Sequence, residues 1–239
     1  HARREDSLAP FRAAGGIRVR GVHEGLVPIE LMTTNAAEAV AGADLVMLVV
    51  PAMAHEFYAA ALAPVLRPTL PVFINPGHTG GSLHFVHRLR QAGYGEEVRA
   101  CETVTLTYIC RKEASDTVNI YSYTRNLKFA AFPGRHADAL HDGIKALYPE
   151  IVAASSVLET ALANINAVLH PPAMLMNAGW IEDTGGDFLF YRQGITPAVG
   201  RVIAEIDAER MAVAAALNVP SAGTLEFFHR AGQTTDAAA

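Results

Sequence analysis

The sequence has few of the residues that mark several large classes of protein. Its 239 residues include two cysteines, Cys101 and Cys110, too few for the disulfide framework of a small secreted domain. We therefore expect reduced thiols and a cytoplasmic protein. No apolar run is long enough to span a bilayer, so no membrane partner is expected. The 19 basic and 24 acidic residues give a net charge of -5, which argues against a nucleic-acid partner.

Two further features are missing at the start of the chain. The sequence contains no Gly-x-Gly-x-x-Gly motif, the phosphate-binding turn with which a dinucleotide-binding fold opens. It also begins with His1 rather than methionine. We interpret the chain as starting partway into a longer protein, with the first strand, turn and helix of such a fold upstream of residue 1.

Strand-like and helix-like segments alternate through residues 1–154. The continuous apolar run at 44–50 is typical of a parallel strand buried on both faces. Further strand-like segments lie at 72–74, 98–111 and 117–132, with helical patterns at 35–42, 54–66, 82–92 and 136–147. This alternation predicts βαβ units, and the fold class is α/β with a partial Rossmann-like, doubly wound sheet.

The pattern changes near Ser155, after which no convincing strand follows. Helices are predicted at 157–169, 172–182 and 196–217. We therefore expect two domains, a dinucleotide-binding domain at 1–154 and an all-helical substrate and catalytic domain, also truncated, at 155–239.

Two strand ends are candidates for ligand binding. Ligands of open parallel sheets bind outside the carboxyl ends of the strands. Val50, Pro51 and Ala52 end one predicted strand, and Asn75, Pro76 and Gly77 end the next. Small side chains there allow a flat ring or a ribose to approach, and the glycines up to Gly81 lead into a helix N-terminus that suits an anion. The alternative is that proline and glycine only mark turns.

The sharpest candidate in the helical part is His170. It precedes Pro171 and Pro172, and a residue before proline is disfavoured in the helical conformation. We therefore predict a break between two helices, with an imidazole suited to proton transfer at the second N-terminus. Asn166, four residues earlier, would share its helical face and orient the ring or a substrate. The alternative is a hydrogen-bonded core histidine beside a structural kink.

The aromatic, glycine-flanked segment 185–197 is a candidate substrate loop. Tyr191 and Arg192 suit a carboxylate, and Thr196 is assigned to the same substrate site. The alternative is a packed Ω-like loop in which Thr196 caps a long helix that begins at Pro197.

Two polar clusters are given structural interpretations. His78, His84 and His87 lack the cysteine or carboxylate ligands that would complete a tetrahedral site, so no metal is predicted. The charged residues of Asp207–Arg210 are expected on a solvated or salt-bridged helix face.

Taken in order, these stretches resemble the octopine/nopaline (opine) dehydrogenase family across nearly the whole chain. The stretches that carry the resemblance are 49–52 with His55, 75–81, 164–171, 176–178, 190–197 and 207–210. The resemblance implies a dinucleotide-binding domain followed by a helical domain. It also implies NADH- or NADPH-dependent reductive condensation of an amino acid with a 2-oxo acid such as pyruvate.

The resemblance also implies roles for particular residues. His170 would be the catalytic acid–base, partnered in the family by an aspartate, and residues 50–52 and 75–77 would line the nicotinamide side of the cofactor site. If residue 1 follows the second strand, Arg3 would lie near the adenosine ribose, where arginine accommodates a 2′-phosphate; the alternative is an ordinary solvated side chain. The resemblance therefore implies NADP or NAD as the cofactor. Whether the protein forms a homodimer is left open by the sequence.

Two other functions remain as alternatives. The 6-phosphogluconate and β-hydroxyacid dehydrogenases share the two-domain plan but use a lysine in the helical domain, whereas this chain has only Lys112, Lys128 and Lys145. The glycine-rich loop and the expected downstream aspartate are both absent, so a truncated, non-catalytic oligomerisation or interaction module is the other alternative.

Overall fold

A computed structural model describes residues 1–230. The chain divides into two compact units, one of residues 1–160 and one from Ala161 onward. The boundary at residue 154 stays a prediction, and residues 231–239 of the predicted helical domain lie outside the described part.

The strands and helices follow one another in both units. The strands are β1 (Gly16–Gly21), β2 (Gly25–Pro28), β3 (Val46–Leu48), β4 (Val72–Ile74), β5 (Ala100–Thr103), β6 (Tyr108–Lys112), β7 (Thr117–Tyr123), β8 (Leu127–Phe132) and β9 (Ile151–Ala153). The helices are α1 (Ala9–Ala14), α2 (Ala36–Val40), α3 (His55–Leu62), α4 (Gly81–Gln91), α5 (Ala137–Leu147), α6 (Val157–Leu162), α7 (Asn166–Met176), α8 (Ala178–Thr184), α9 (Pro197–Ala216) and α10 (Thr224–Arg230). None of these described helices combines the length and hydropathy needed to cross a bilayer.

The main sheet of the first unit has five strands in the order β3-β4-β5-β8-β9. β3, β4 and β5 are parallel, which confirms the parallel βαβ part of the predicted α/β fold. β8 runs antiparallel to β5, and β9 runs parallel to β8. The sheet is therefore mixed: the chain leaves it after β5, passes through β6 and β7, and returns as β8 in the opposite direction.

Both faces of this sheet are covered by helices. Val72 and Ile74 of β4 pack into one apolar cluster with Phe85 of α4, whereas Phe73 packs into another with Ile144 of α5. Alternate residues of a strand point to opposite faces, so a continuous apolar run is what two covered faces require.

A second sheet of four strands, in the order β2-β1-β7-β6, was not predicted as a separate element. β1 begins at Gly16 and ends at Gly21. Arg18 and Arg20 are exposed, but buried and exposed residues do not alternate along the whole strand as they do in a typical half-buried strand. Its pairing with β7 comes from residues far along the chain, which no local pattern reveals. The two cysteines lie in different sheets, on β5 and β6, and both are free.

The second unit is helical over its described residues. Leu169 and Ala173 of α7 pack against Val199 and Ile203 of α9. The predicted helix at 196–217 is confirmed, with Thr196 accepting a hydrogen bond from the Val199 amide at 3.4 Å and Pro197 as the first helical residue.

The predicted helix break at His170 is wrong. α7 continues through His170, with Pro171 and Pro172 inside it. Each proline forfeits a helical hydrogen bond, but Pro172 is buried, and its neighbours Leu169 and Ala173 are core residues. Tertiary packing therefore overrides the local preference, and the actual break comes at Met176 and Asn177, between α7 and α8.

Candidate active site

The carboxyl ends of β3 and β4 differ in how accessible they are. Pro51 and Ala52 are exposed and Val50 is half-buried, whereas Asn75, Pro76 and Gly77 are buried. The Asn75 side chain donates to the Thr107 hydroxyl at 2.9 Å and accepts from the Thr107 amide at 3.2 Å. Residues 50–52 thus offer open apolar surface to a flat ring, while Asn75 fastens the loop to the segment before β6.

The N-terminus of α4 already binds a carboxyl group of the chain itself. The Ser82 amide donates to Glu102 Oε2 at 2.7 Å, and Glu102 at the end of β5 is fully buried. Gly77 passes so close to Glu102 that a side-chain Cβ there would lie 2.5 Å from a carboxyl oxygen. The expectation that this helix end suits a ligand anion is therefore corrected, because the Glu102 carboxyl group occupies that position.

The Glu102 carboxyl group also contacts the Thr160 hydroxyl on α6. Thr160 Oγ1 lies 3.0 Å from the Val157 carbonyl oxygen as well. A hydroxyl has one proton to donate. When Thr160 donates to Val157, the contact with Glu102 requires that the carboxyl group itself be the donor. Burial raises the pKa of Glu102 above its ordinary value, which favours this protonated form.

A buried histidine lies on the other side of the same helix end. His55, the first residue of α3, has no exposed surface, and neither ring nitrogen has a hydrogen-bond partner among the described residues. Its Cε1 lies 3.4 Å from where a Cβ on Gly81 would be. Burial, with smaller contributions from His84 and His78, lowers the pKa of His55 to about 4. The ring is therefore neutral at physiological pH.

The histidines near α4 do not assemble into a metal centre. The His55 and His84 ring centroids are 6.2 Å apart. Within residues 1–230, no three histidine, cysteine or acidic side chains are placed to hold a metal ion. The prediction that the protein needs no metal stays a prediction.

Arg3 lies beside the first turn of α3. Its guanidinium carbon is 5.7 Å from the centre of the Phe57 ring, and α3 follows closely on residues 50–52. The side chain is exposed, so its charge is accessible. The neighbouring Arg4 pairs with Asp6 at 3.0 Å instead.

The second unit brings two of the predicted site residues, His170 and Tyr191, into contact. His170 Nε2 lies 2.8 Å from the Tyr191 hydroxyl oxygen, and the Phe190 ring centroid is 6.0 Å from the imidazole. Burial lowers the pKa of His170. Asn166 begins the same helix, one turn before His170, and is half-buried. The two motifs that were predicted separately, the His170 stretch and the segment 185–197, are therefore joined by the hydrogen bond between His170 and Tyr191.

A buried asparagine fixes this arrangement. Asn177 donates from Nδ2 to the carbonyl oxygens of Ala173 and Gly194, each at 2.8 Å. It thereby ties the end of α7 to a π-helical turn at Phe190–Gly194, which carries Tyr191. A Cβ at Gly194 would lie 3.0 Å from the Phe188 ring and 3.3 Å from Asn177 Nδ2, so a larger residue there would crowd both side chains. π-helical turns are frequent at functional sites.

The other two predicted substrate residues lie on either side of this turn's end. Arg192 is exposed on the turn, with its amide bonded to the Leu189 carbonyl oxygen at 3.0 Å. Thr196 is exposed, and its oxygen caps α9. A role in substrate binding stays a prediction for both residues.

Asp207 and Arg210 form a salt bridge at 2.7 Å, as one of the two expectations for that helix face had it, and the pair is buried rather than solvated. Arg210 donates from Nε to Asp207 at 2.8 Å and from Nη2 to the Ala222 carbonyl oxygen at 2.6 Å, and it also contacts the Leu162 carbonyl oxygen. Asp207 in turn accepts from the Thr224 amide at 2.7 Å. The pair therefore fastens the ends of α6 and α10 to α9.

Comparisons with known proteins agree with this architecture. Residues 153–236 match the family model described as the alpha-helical domain of NAD/NADP octopine/nopaline dehydrogenase. Opine dehydrogenase of Arthrobacter sp. (strain 1C) is 39% identical over 194 residues, which are 80% of this chain and 54% of that protein. The chain belongs to the octopine/nopaline dehydrogenase family. Tauropine dehydrogenase of Arabella iricolor, another similar protein, is 26% identical over 77% of this chain and 48% of its own length.

Solved structures of octopine/nopaline dehydrogenases have the same fold. Octopine dehydrogenase in complex with NADH and L-arginine superimposes with a TM-score of 0.73 at 21% identity, covering 98% of this chain and 62% of that one. Yersinopine dehydrogenase bound to NADP+ gives 0.80 at 16% identity, over 99% and 62% of the two chains. This chain spans about half the length of the curated relatives that it matches.

The family assignment bears on the alternative with a catalytic lysine. Lys112, Lys128 and Lys145 lie on β6, β8 and α5, all in the first unit. The second unit contains no lysine in its sequence. Nothing in it can therefore serve as the helical-domain lysine of a 6-phosphogluconate or β-hydroxyacid dehydrogenase.

Three residues of the site were missed at the level of sequence: Glu102, Thr160 and Asn177. A charged residue inside the strand-like segment 98–111 was a usable signal for Glu102, because an acid is rarely buried without partners. Asn177 lies in the family stretch 176–178 but had no assigned role. Nothing in the local sequence identifies Thr160.

Proposed function

We propose that this chain is the central portion of an NAD(P)H-dependent opine dehydrogenase. In this reaction an amino acid condenses with a 2-oxo acid such as pyruvate, and the resulting imine is reduced. The observation that carries the proposal is the His170 site within a chain of this family. A cytoplasmic location, expected because the sequence has only two cysteines, is part of the proposal.

The first unit is assigned to the cofactor. Open apolar surface at Val50, Pro51 and Ala52 fits the nicotinamide ring, and the buried loop at 75–77 supports it from the next strand. Because the Glu102 carboxyl group occupies the Ser82 amide at the N-terminus of α4, this helix end is not assigned to the pyrophosphate. When bound, the cofactor supplies the hydride.

His170 is assigned to proton transfer. A pKa lowered by burial leaves the imidazole neutral near pH 7, able to take a proton from the amino group of the amino acid and return it later. Exposed Arg192, which follows Tyr191 in the chain, is suited to the carboxylate of a substrate, since a guanidinium binds a carboxylate through two parallel hydrogen bonds. In the family the histidine is partnered by an aspartate, which we expect downstream.

An assay of the full-length protein that contains this chain, with a panel of amino acids and pyruvate, tests this function. Oxidation of NADH or NADPH is followed by absorbance, with each amino acid in turn and with pyruvate omitted as the control. We expect oxidation that requires both substrates. Oxidation with no pair would contradict the proposal for this chain and favour the non-catalytic alternative.

The choice of cofactor is tested separately at Arg3. If its exposed guanidinium binds a 2′-phosphate, NADPH binds more tightly than NADH, and Arg3→Ala reduces that preference. The same substitution at Arg4, which is already paired with Asp6, is the matched control. Preference for NADH by the unaltered chain would contradict the assignment.

A further inference from the structure

The hydrogen bond between Tyr191 and His170 has a consequence for the proton that His170 handles. The two atoms, Tyr191 Oη and His170 Nε2, are 2.8 Å apart. Tyr191 itself is 62% exposed, so its ring extends into solvent while its hydroxyl covers Nε2. A substrate approaching this nitrogen therefore meets the phenol first.

The protonation state of the pair follows from the chemistry of the two groups. A phenol keeps its proton at neutral pH, and a neutral imidazole has one donor and one acceptor nitrogen. With the phenol donating to Nε2, the imidazole proton lies on Nδ1. When the imidazole is charged, Nε2–H donates to the phenol oxygen instead. One hydrogen bond thus serves both states of His170 with a reversed direction.

We propose that Tyr191 fixes the neutral tautomer of His170 and relays the proton between His170 Nε2 and the substrate. Asn177 supports this role, because it ties the turn that carries Tyr191 to the helix that carries His170. The tautomer part stands on the structure of the chain alone. The relay part rests on the proposed function.

The relay accounts for each proton that moves in the dehydration step that forms the imine. After the amino acid adds to the 2-oxo acid, one carbon bears both a nitrogen and a hydroxyl group. The Tyr191 proton passes to that hydroxyl, which leaves as water while the nitrogen lone pair forms the C=N bond. The proton on His170 Nε2 then passes to the Tyr191 oxygen. The imidazole ends neutral and the phenol is regenerated.

The tautomer is measured by NMR of the chain labelled with ¹⁵N-histidine, with His170→Gln identifying the signals. Above the His170 pKa, we expect Nδ1 to carry the proton in the unaltered chain and Nε2 to gain it in Tyr191→Phe. Tyr121→Phe, at another exposed tyrosine, should leave the pattern unchanged. A proton on Nε2 in the unaltered chain, or an unchanged pattern in Tyr191→Phe, would overturn the proposal.

Kinetics separate the relay from substrate binding. If Tyr191 relays the proton, Tyr191→Phe lowers kcat by about tenfold or more with little change in KM. If Tyr191 only binds the substrate carboxylate, KM rises and kcat is kept, and the relay is refuted. An inactive unaltered chain would contradict the proposed function and the relay with it, but the NMR result would still decide the tautomer.

Discussion

Thr160 and Glu102 are in direct hydrogen-bond contact in a place where neither side chain reaches water. One is on α6 and the other at the end of β5, and Glu102 also accepts from the Ser82 amide in the first turn of α4. Because the threonine hydroxyl has one proton and two acceptors within reach, the network is complete when Glu102 is protonated. We therefore expect the Glu102 carboxyl group to be neutral in the folded protein, and two substitutions of Glu102 test this expectation.

Replacing Glu102 by glutamine should be much milder than replacing it by alanine. Glutamine keeps a carbonyl oxygen for the Ser82 amide and a donor for Thr160, whereas alanine leaves the Ser82 amide without its buried partner, at a cost of about 1–3 kcal/mol. Urea unfolding of the two variants gives the comparison. Equal destabilisation by both would show that the negative charge of Glu102 is needed.

The pH dependence of stability should change in the same glutamine variant. Burial raises the pKa of Glu102 in the folded state, so the folded protein binds this proton more tightly than the unfolded chain. Its stabilising contribution is present at acid pH and is lost as pH rises from the ordinary glutamate range through the raised pKa. Glu102→Gln should flatten that part of the stability curve, and an unchanged curve would contradict the assignment.

His55 should act in the opposite direction. Its folded pKa of about 4 lies below the ordinary value of 6.5, so its neutral ring stabilises the fold above about pH 6.5. That contribution is lost on acidification between 6.5 and 4, with a limiting slope of about 1.4 kcal/mol per pH unit. His55→Gln should reduce the slope. His87→Gln, at an exposed position of α4, is the control that should leave it unchanged.

Removing one partner of the Asp207–Arg210 pair should be costly. Arg210→Met leaves the Asp207 carboxylate buried without its ion partner, which typically costs about 3–5 kcal/mol. The free energy of unfolding of this variant is compared with that of Arg201→Met, an exposed position on the same helix. A similarly small loss in both variants would mean that the buried pair contributes little.

Breaking the Asn177 bridge should loosen the turn that carries Tyr191. Asn177→Leu removes donors to Ala173 and Gly194 while keeping a side chain of similar size, so two buried carbonyl oxygens lose a partner, each worth about 1 kcal/mol. Amide hydrogen exchange should rise in residues 189–194 and stay unchanged in β4. Unaltered exchange at the turn would argue against Asn177 as its anchor.

Local patterns predicted the parts of the fold that local physics determines. The apolar runs at 44–50 and 72–74 became β3 and β4, and Thr196 with Pro197 correctly located the start of α9. The failures came where distant residues decide. β1 depends on pairing with β7, and the chain at Pro171 stays helical because Leu169 and Ala173 are held in the core.

The candidate site shows the same division. His170 and Tyr191 were each singled out from the sequence, but their hydrogen bond depends on a turn that Asn177, at the end of α7, anchors. Glu102 was missed because its partners, Ser82 and Thr160, are far apart in sequence. A residue pair brought together by folding leaves no spacing pattern to find.

The central claim is that His170 is the acid–base of an NAD(P)H-dependent condensation, and the turnover of a His170 variant tests it most directly. The rate of reduced-cofactor oxidation with pyruvate and the preferred amino acid is measured for the full-length protein that contains this chain and for its His170→Gln variant, with circular dichroism to verify folding. We predict a loss of about 10²- to 10⁴-fold. A folded variant that retains turnover within a few-fold of the unaltered chain would contradict the account.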